Sequence, residues 1–393
     1  INHLGTYRTS MLRAIDGFRE GLEGSQDYDL ALRCIERLQP DEVRHIPRIL
    51  YHCRLVPGSL AEVRDAKPYA KEAVRRAIAD HLQRIGIAGR AEPCPENIES
   101  HRVVYDIPNP APRAAIIVAV QDSVQRLREC LESIWRLTEY PAYEIVVAAS
   151  ASLEEETVLY LNALEETGVV VHWADQVRNP GRLNNMAGTA ANPEIVIFLH
   201  SDIEVTDGDW LREMVSHASR AEVGAVGARL WYPDGTLEHG GFVLGLGGIA
   251  GVAHHGVPRG HPGFFNRTFL QRNCSAVSSA CMAVRAVLFH ELGGFDERNL
   301  TSNFQDVDFC LRLKDRGLQV VWTPYADLVH HKPTVMEKDQ NSEEKAIFRH
   351  DADYMQERWA EELREDPFYS PNLSLAEPGF ELAFPPRWFS SES

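Results

Sequence analysis

The sequence predicts an α/β protein, a mostly parallel β-sheet with helices on both faces, and two observations carry that prediction. Strand-like apolar runs alternate with helix-like runs from about residue 113. The first run, residues 114–120, is apolar throughout, as a strand buried on both faces must be. Residues 124–138 then place Leu127, Leu131, Ile134 and Trp135 at helical spacing. Strands at 144–149, 169–173 and 195–199 alternate with helices at 153–166 and 183–191, and the last strand runs into His200-Ser201-Asp202. In such sheets ligands bind beyond the carboxyl ends of the strands, where Asp202 falls.

The following region changes character. Tyr232-Pro-Asp-Gly235 reads as a turn and residues 240–256 as a glycine-rich loop or hairpin that includes His254 and His255. Helices are predicted at 285–292 and 304–316, the second closed by Gly317. A strand over 318–322 is expected to stop at Pro324. A charged helix at 343–365 and a proline-punctuated tail at 371–387 complete the chain.

Composition narrows the function. A formal net charge of -17 argues against nucleic-acid binding and against a polybasic membrane anchor. No apolar run is long enough to span a bilayer. The seven cysteines are scattered with no CxxC pair, which argues against structural zinc and a disulfide framework and favours a reducing compartment. The chain begins at Ile1 and is read as part of a longer polypeptide.

An internal repeat organises the first hundred residues. Ile15-Asp-Gly-Phe18, Ser25-Gln-Asp-Tyr-Asp-Leu-Ala-Leu-Arg33, Ile46-Pro47 and Tyr51-His52 recur as Leu292-Gly-Gly-Phe295, Phe304-Gln-Asp-Val-Asp-Phe-Cys-Leu-Arg312, Thr323-Pro324 and Val329-His330. Residues 1–60 are accordingly expected to be the C-terminal fragment of a preceding domain of the same kind. Residues 61–111 are expected to be a helical and proline-rich linker, 112–340 the complete domain, and 341–393 a helical and proline-rich tail packed on it.

Three residues stand out chemically. Asp202, at a strand end, suits a divalent ion that prefers oxygen donors; a turn or helix-cap aspartate is the competing reading. Asp306 lies in the first turn of a predicted helix, where the dipole favours the ionised carboxylate that a general base requires; helix-start charge is the bland alternative, weakened by the repeat at Asp27. His330, at the end of an apolar run, is a candidate nitrogen ligand, and the neighbouring His331 leaves the choice between them open.

Six stretches together resemble the family 2 glycosyltransferases of the inverting GT-A fold. They are Tyr140-Pro-Ala-Tyr-Glu-Ile-Val-Val147, Leu183-Asn-Asn185, Phe198-Leu-His-Ser-Asp-Ile-Glu-Val205, Gly224-Ala-Val-Gly-Ala228, Gly293-Gly-Phe-Asp296 and Phe304-Gln-Asp-Val-Asp308. The likeness covers residues 112–387 and, in part, 1–60, and is strongest to multidomain bacterial enzymes of O-antigen, rhamnan and surface-polysaccharide assembly. It implies a transferase that uses Mn2+ or Mg2+ and takes a UDP-, dTDP- or GDP-sugar. The acceptor is a saccharide or lipid-linked saccharide. The setting is cytoplasmic, at the inner face of the membrane where a membrane-bound glycolipid is met, and other domains of the parent chain are partners. Position by position, it makes Asp306 the catalytic base and Asp202 and His330 metal ligands. It places Asp122, Arg182, Asn185, Ser201 and Asp202 along the donor site.

Three departures accompany the likeness. Ala149 stands where similar enzymes carry a nucleotide-reading aspartate, His200 holds the first position of the DxD-type motif, and Lys332-Pro333 replaces Glu-Ser. They support a rival reading, a catalytically degenerate module that binds saccharide or scaffolds its neighbours. A nucleotidyltransferase is disfavoured because the glycine-rich loop and basic signature near the first strand are lacking.

Overall fold

The computed structural model describes residues 5–52, 68–120, 123–150, 154–175, 179–190, 193–332 and 342–388. The chain divides into two compact units, Ile1–Asp106 and Ile107–Ser393.

The first unit contains α1 (Thr9–Ala14), α2 (Gln26–Ile35), α3 (Pro68–Ile85) and an antiparallel pair, β1 (Gly89–Cys94) and β2 (Asn97–Tyr105). The pair occupies a stretch read as linker. Its signal in the sequence is weak because β1 contains Gly89 and Pro93, and β2 lacks the alternation of buried and exposed residues that marks a half-buried strand. Leu30 of α2 is buried with Ile15 and Cys34, whereas Ile35 is half exposed.

The second unit opens with β3 (Ala114–Ala119), α4 (Val124–Leu137), β4 (Tyr143–Ser150), α5 (Glu155–Glu166), β5 (Val170–Ala174), α6 (Pro180–Ala190) and β6 (Ile195–His200). All of β3 is buried because both faces are covered: Ile116 and Val118 share a core with Leu127, Leu131 and Ile134 of α4, while Ala115 and Ile117 share another with Leu183 and Ala187 of α6. Ser123 caps α4, its hydroxyl accepting the Arg126 N–H.

There follow β7 (Ile203–Val205), α7 (Trp210–Ala218), β8 (Val223–Trp231), β9 (Leu237–His239), β10 (Phe242–Leu244), β11 (Ala250–Val252), β12 (Arg272–Cys274), β13 (Cys281–Arg285), α8 (Ala286–Glu291), α9 (Gln305–Asp315), β14 (Gln319–His330) and α10 (Ser342–Arg358). The main sheet runs β12-β14-β8-β13-β6-β3-β4-β5, with β7 on β14 and β9 on β8. The ladders joining β6, β3, β4 and β5 are parallel, as is β8 with β14, while β13 lies antiparallel between β6 and β8.

One expectation about a boundary is corrected. The strand expected to stop before Pro324 continues to His330. Its ladder with β8 is interrupted between Trp322 and Asp327, so the missing proline N–H falls where no rung needs it. That continuation carries His330 to the C-terminal end of β14, beside β7. In the tail, Tyr369, Leu373 and Phe380 form a small core with Val243, Leu246 and Ala253.

Candidate active site

The site is assembled where β6 and β14 end together. After His200 the chain turns through Ser201 and Asp202 and reverses as β7, which pairs antiparallel with the last residues of β14, setting His330 opposite Ile203. The Asp202 carbonyl accepts the His331 N–H at 2.9 Å. This register places the His330 side chain at Asp202, Nε2 to Oδ1 at 3.0 Å. Strand alternation turns the next residue away. His331 meets Glu204 at 2.8 Å and lines a separate cavity of about 330 Å³ with Glu129 and Glu132.

His200 closes the group. Its ring stands edge to face with that of His330, centroids 5.5 Å apart. One potential ligand atom from each of His200, Asp202 and His330 lies within 4.8 Å of the others, so two imidazoles and a carboxylate converge as they do around a divalent ion.

Glu238 and His239 of β9 form the next layer. Glu238 Oε2 lies 3.5 Å from His330 Nδ1, and neither atom has a hydrogen-bond partner among the described residues. Lys332 pairs with the other Glu238 oxygen. A proton on Nδ1 facing Glu238 leaves the His330 Nε2 lone pair toward Asp202, the arrangement of a metal-binding histidine backed by a carboxylate. His239 Nε2 accepts the Ser278 N–H at 3.1 Å, which leaves its own proton on Nδ1.

The adjacent Ser279 N–H donates to Asp306 Oδ2 at 3.0 Å, and the Val307 N–H to Oδ1 at 2.9 Å. One dipeptide, Ser278-Ser279, thus joins the histidine layer to the first turn of α9.

Charge follows from these contacts. Burial pushes His200 down to about 4, with the neighbouring His330 charge acting the same way, so its ring is neutral at physiological pH. Burial opposes the ionisation of Asp202, but the His330 hydrogen bond and the two imidazoles hold it at about 2. Burial likewise opposes the Glu238 carboxylate, which His330 and Lys332 nonetheless hold well below the usual range. His330 is raised: burial disfavours its cation, and Asp202 and Glu238 prevail. Asp306 is raised by burial, partly offset by its two N–H donors.

Helix α9 is anchored by a fork. Arg312 Nε meets Asp308 Oδ2 at 2.8 Å, and its two terminal nitrogens donate to the carbonyls of Leu292 and Gly294 at 2.9 and 2.8 Å. The first unit carries the same device on α2. Arg33 meets Asp29 at 2.8 Å and donates to the carbonyls of Ile15 and Gly17, and the Tyr28 N–H bonds Asp27 as the Val307 N–H bonds Asp306.

Two further candidates, Arg182 and Asn185, sit elsewhere, on α6. Asn185 of α6 bridges to the 295–297 segment, exchanging hydrogen bonds with the Phe295 backbone and donating to Glu297. Arg182 and Asn185 line an open cleft of about 780 Å³ that shares no lining residue with the His200–Asp202–His330 group. Ser201 is buried in the turn. Asp122 lies outside the described residues. Ala149 is fully buried and offers no polar side-chain atom. His254 is a loop residue, accepting the Phe264 N–H. Sequence reasoning did not reach Glu238, His239 or a constructive role for His200 and Lys332; only the His-x-Asp spacing at 200–202 could have signalled one of them.

Residues 115–293 match the model of Glycosyl transferase family 2. The uncharacterized protein y4gI of Sinorhizobium fredii is 41% identical over 99% of this chain and 43% of its own length. The O-antigen biosynthesis protein RfbC of Myxococcus xanthus is 35% identical over 95% of this chain and 29% of its own. An N-acetylglucosaminyl-diphospho-decaprenol L-rhamnosyltransferase of Mycobacterium tuberculosis is 31% identical over 39% of this chain and 53% of its own. The chain therefore spans less than half the length of the first two.

Proposed function

We propose that the chain, whose residues 115–293 match the model of Glycosyl transferase family 2, transfers a sugar with inversion from a nucleotide-diphosphate donor to a saccharide or lipid-linked saccharide. The setting is bacterial surface-polysaccharide assembly, at the cytoplasmic face of the membrane. Among the described residues, no helix is long and apolar enough to cross a bilayer. The observation that carries the proposal is the junction at Ser278-Ser279, which ties a carboxylate base on α9 to a layer of histidines and carboxylates suited to a divalent ion.

In this reading Asp306 accepts the proton of the acceptor hydroxyl. That oxygen bonds the anomeric carbon from the face opposite the nucleotide as the bond from carbon to the phosphate oxygen breaks. The electron pair leaves with the nucleoside diphosphate. Asp202 and His330 would hold Mn2+ or Mg2+, which supplies charge stabilisation for that leaving group. Lys332, held by Glu238, adds a fixed cation beside the cluster. No covalent enzyme intermediate is required. The first unit, with its copy of the α9 fork, is read as the C-terminal part of a preceding transferase-like domain.

Asp306→Asn should cut turnover about 10²–10⁴-fold, the usual effect of losing a general base, while Mn2+-dependent binding of UDP, dTDP or GDP stays within a factor of a few. Unchanged turnover would remove Asp306 from the role of base. Ala149 favours a second reading, a saccharide-binding module without turnover, since the end of β4 presents no side-chain acceptor there for a ribose or base. Calorimetric absence of binding for all three nucleotides, with and without Mn2+, would favour that reading.

A further inference from the structure

We propose that His200 is itself a ligand of the bound ion, so that the site presents two imidazoles and one carboxylate and selects manganese and later transition ions over magnesium. The inference rests on reading the cluster as the transferase's metal site.

Geometry is the first argument. The turn after β6 brings His200 and Asp202 to the same side of the sheet end, facing His330, with one ligand atom of each within 4.8 Å of the others. Ligands of an octahedral ion with bonds of about 2.1 Å are about 3.0 Å apart at right angles and about 4.2 Å apart across the ion; Asp202 and His330 already stand 3.0 Å apart, and closing His200 onto the ion needs a shift of about 0.6–1.8 Å at most. Among the described residues the hydrogen bonds of His200 use its backbone, and its ring nitrogens make none. Its edge-to-face relation to His330 keeps the imidazoles from stacking.

Chemistry is the second argument. Magnesium takes oxygen ligands and gives up its waters reluctantly, whereas imidazole suits the transition ions. Histidine at position 200 therefore changes which ion the site prefers. Glu238 Oε2 faces His330 Nδ1 at 3.5 Å, and its charge favours the tautomer with the proton on Nδ1 and the Nε2 lone pair free for the ion.

The test is pulsed electron paramagnetic resonance on Mn2+ added to the metal-free full chain, alone and with UDP, dTDP or GDP, together with competition by Mg2+. Two directly coordinated nitrogens are expected in the natural sequence. His200→Asp should leave one nitrogen and narrow the Mn2+-over-Mg2+ preference by about 10-fold or more. A single nitrogen in the natural sequence overturns the assignment of His200 and leaves His330 as the nitrogen ligand. So does a His200→Asp protein with an unchanged nitrogen count and preference. No bound Mn2+ under any of these conditions overturns the metal-site reading along with it.

Discussion

A carboxylate that must take a proton from a sugar hydroxyl has to be ionised at the working pH, and at Asp306 two effects oppose each other. Burial favours the neutral acid, while the Ser279 and Val307 N–H groups and the start of α9 favour the anion; burial prevails and the pKa is raised. The sign for catalysis follows directly. Below the raised pKa the base is protonated and cannot act. With Mn2+ saturating, kcat/KM should therefore fall tenfold per pH unit on the acid side, with its midpoint above the ordinary aspartate value of about 3.9. A pH–rate profile flat down to that value would contradict the assignment. His330 differs, since its raised pKa reflects carboxylates that would be shared with an ion, and saturating metal removes its proton from the profile.

At the scale of elements, the fork of Arg312 does what the isolated propensity of α9 cannot. It ties the helix bearing Asp306 to the Leu292–Gly294 turn and lies against the buried Asp308, which also receives the Trp359 indole N–H. Arg312→Ala removes three hydrogen bonds and one partner of a buried carboxylate. A loss of about 2–4 kcal/mol is expected, read as a lower urea midpoint. Arg312→Lys should recover only part of it, because an ammonium cannot span two carbonyls and a carboxylate at once. An unchanged midpoint for Arg312→Ala would deny the fork a structural role.

The repeat that exposed this helix was legible because it lies in contiguous sequence, as was the βα alternation, written in continuous apolar runs such as residues 114–119. The rest of the site was not legible, for a physical reason. Glu238 and His239 sit on a three-residue strand whose place is set by pairing with β8, and no periodicity marks so short an element. That His330 and not His331 faces Asp202 follows from the register of β14 against β7, which is a long-range property. The passage of β14 through Pro324 required a break in a ladder that local rules do not foresee.

For the whole molecule, the proposed division of labour between the two units follows from where the candidate site lies. His200, Asp202, Glu238, His239, Asp306, His330 and Lys332 all belong to the second unit, as do both hydrophobic cores that flank its sheet. The first unit repeats the helix and fork with Asp27 in the place of Asp306. Its described strands, β1 and β2, form a two-stranded antiparallel pair and offer no parallel strand ends at which a nucleotide could sit. A fragment spanning residues 107–393 should therefore bind Mn2+ and nucleoside diphosphate as the full chain does, within a factor of about two or three, the ordinary context dependence of such comparisons. Asp27→Asn in the full chain should leave that binding and turnover unchanged. Isothermal titration of the fragment, the full chain and the variant makes the comparison. Loss of binding on truncation, with the fragment still folded by circular dichroism, would show that the first unit contributes to the site, and its reading as part of a separate transferase-like domain would have to be abandoned.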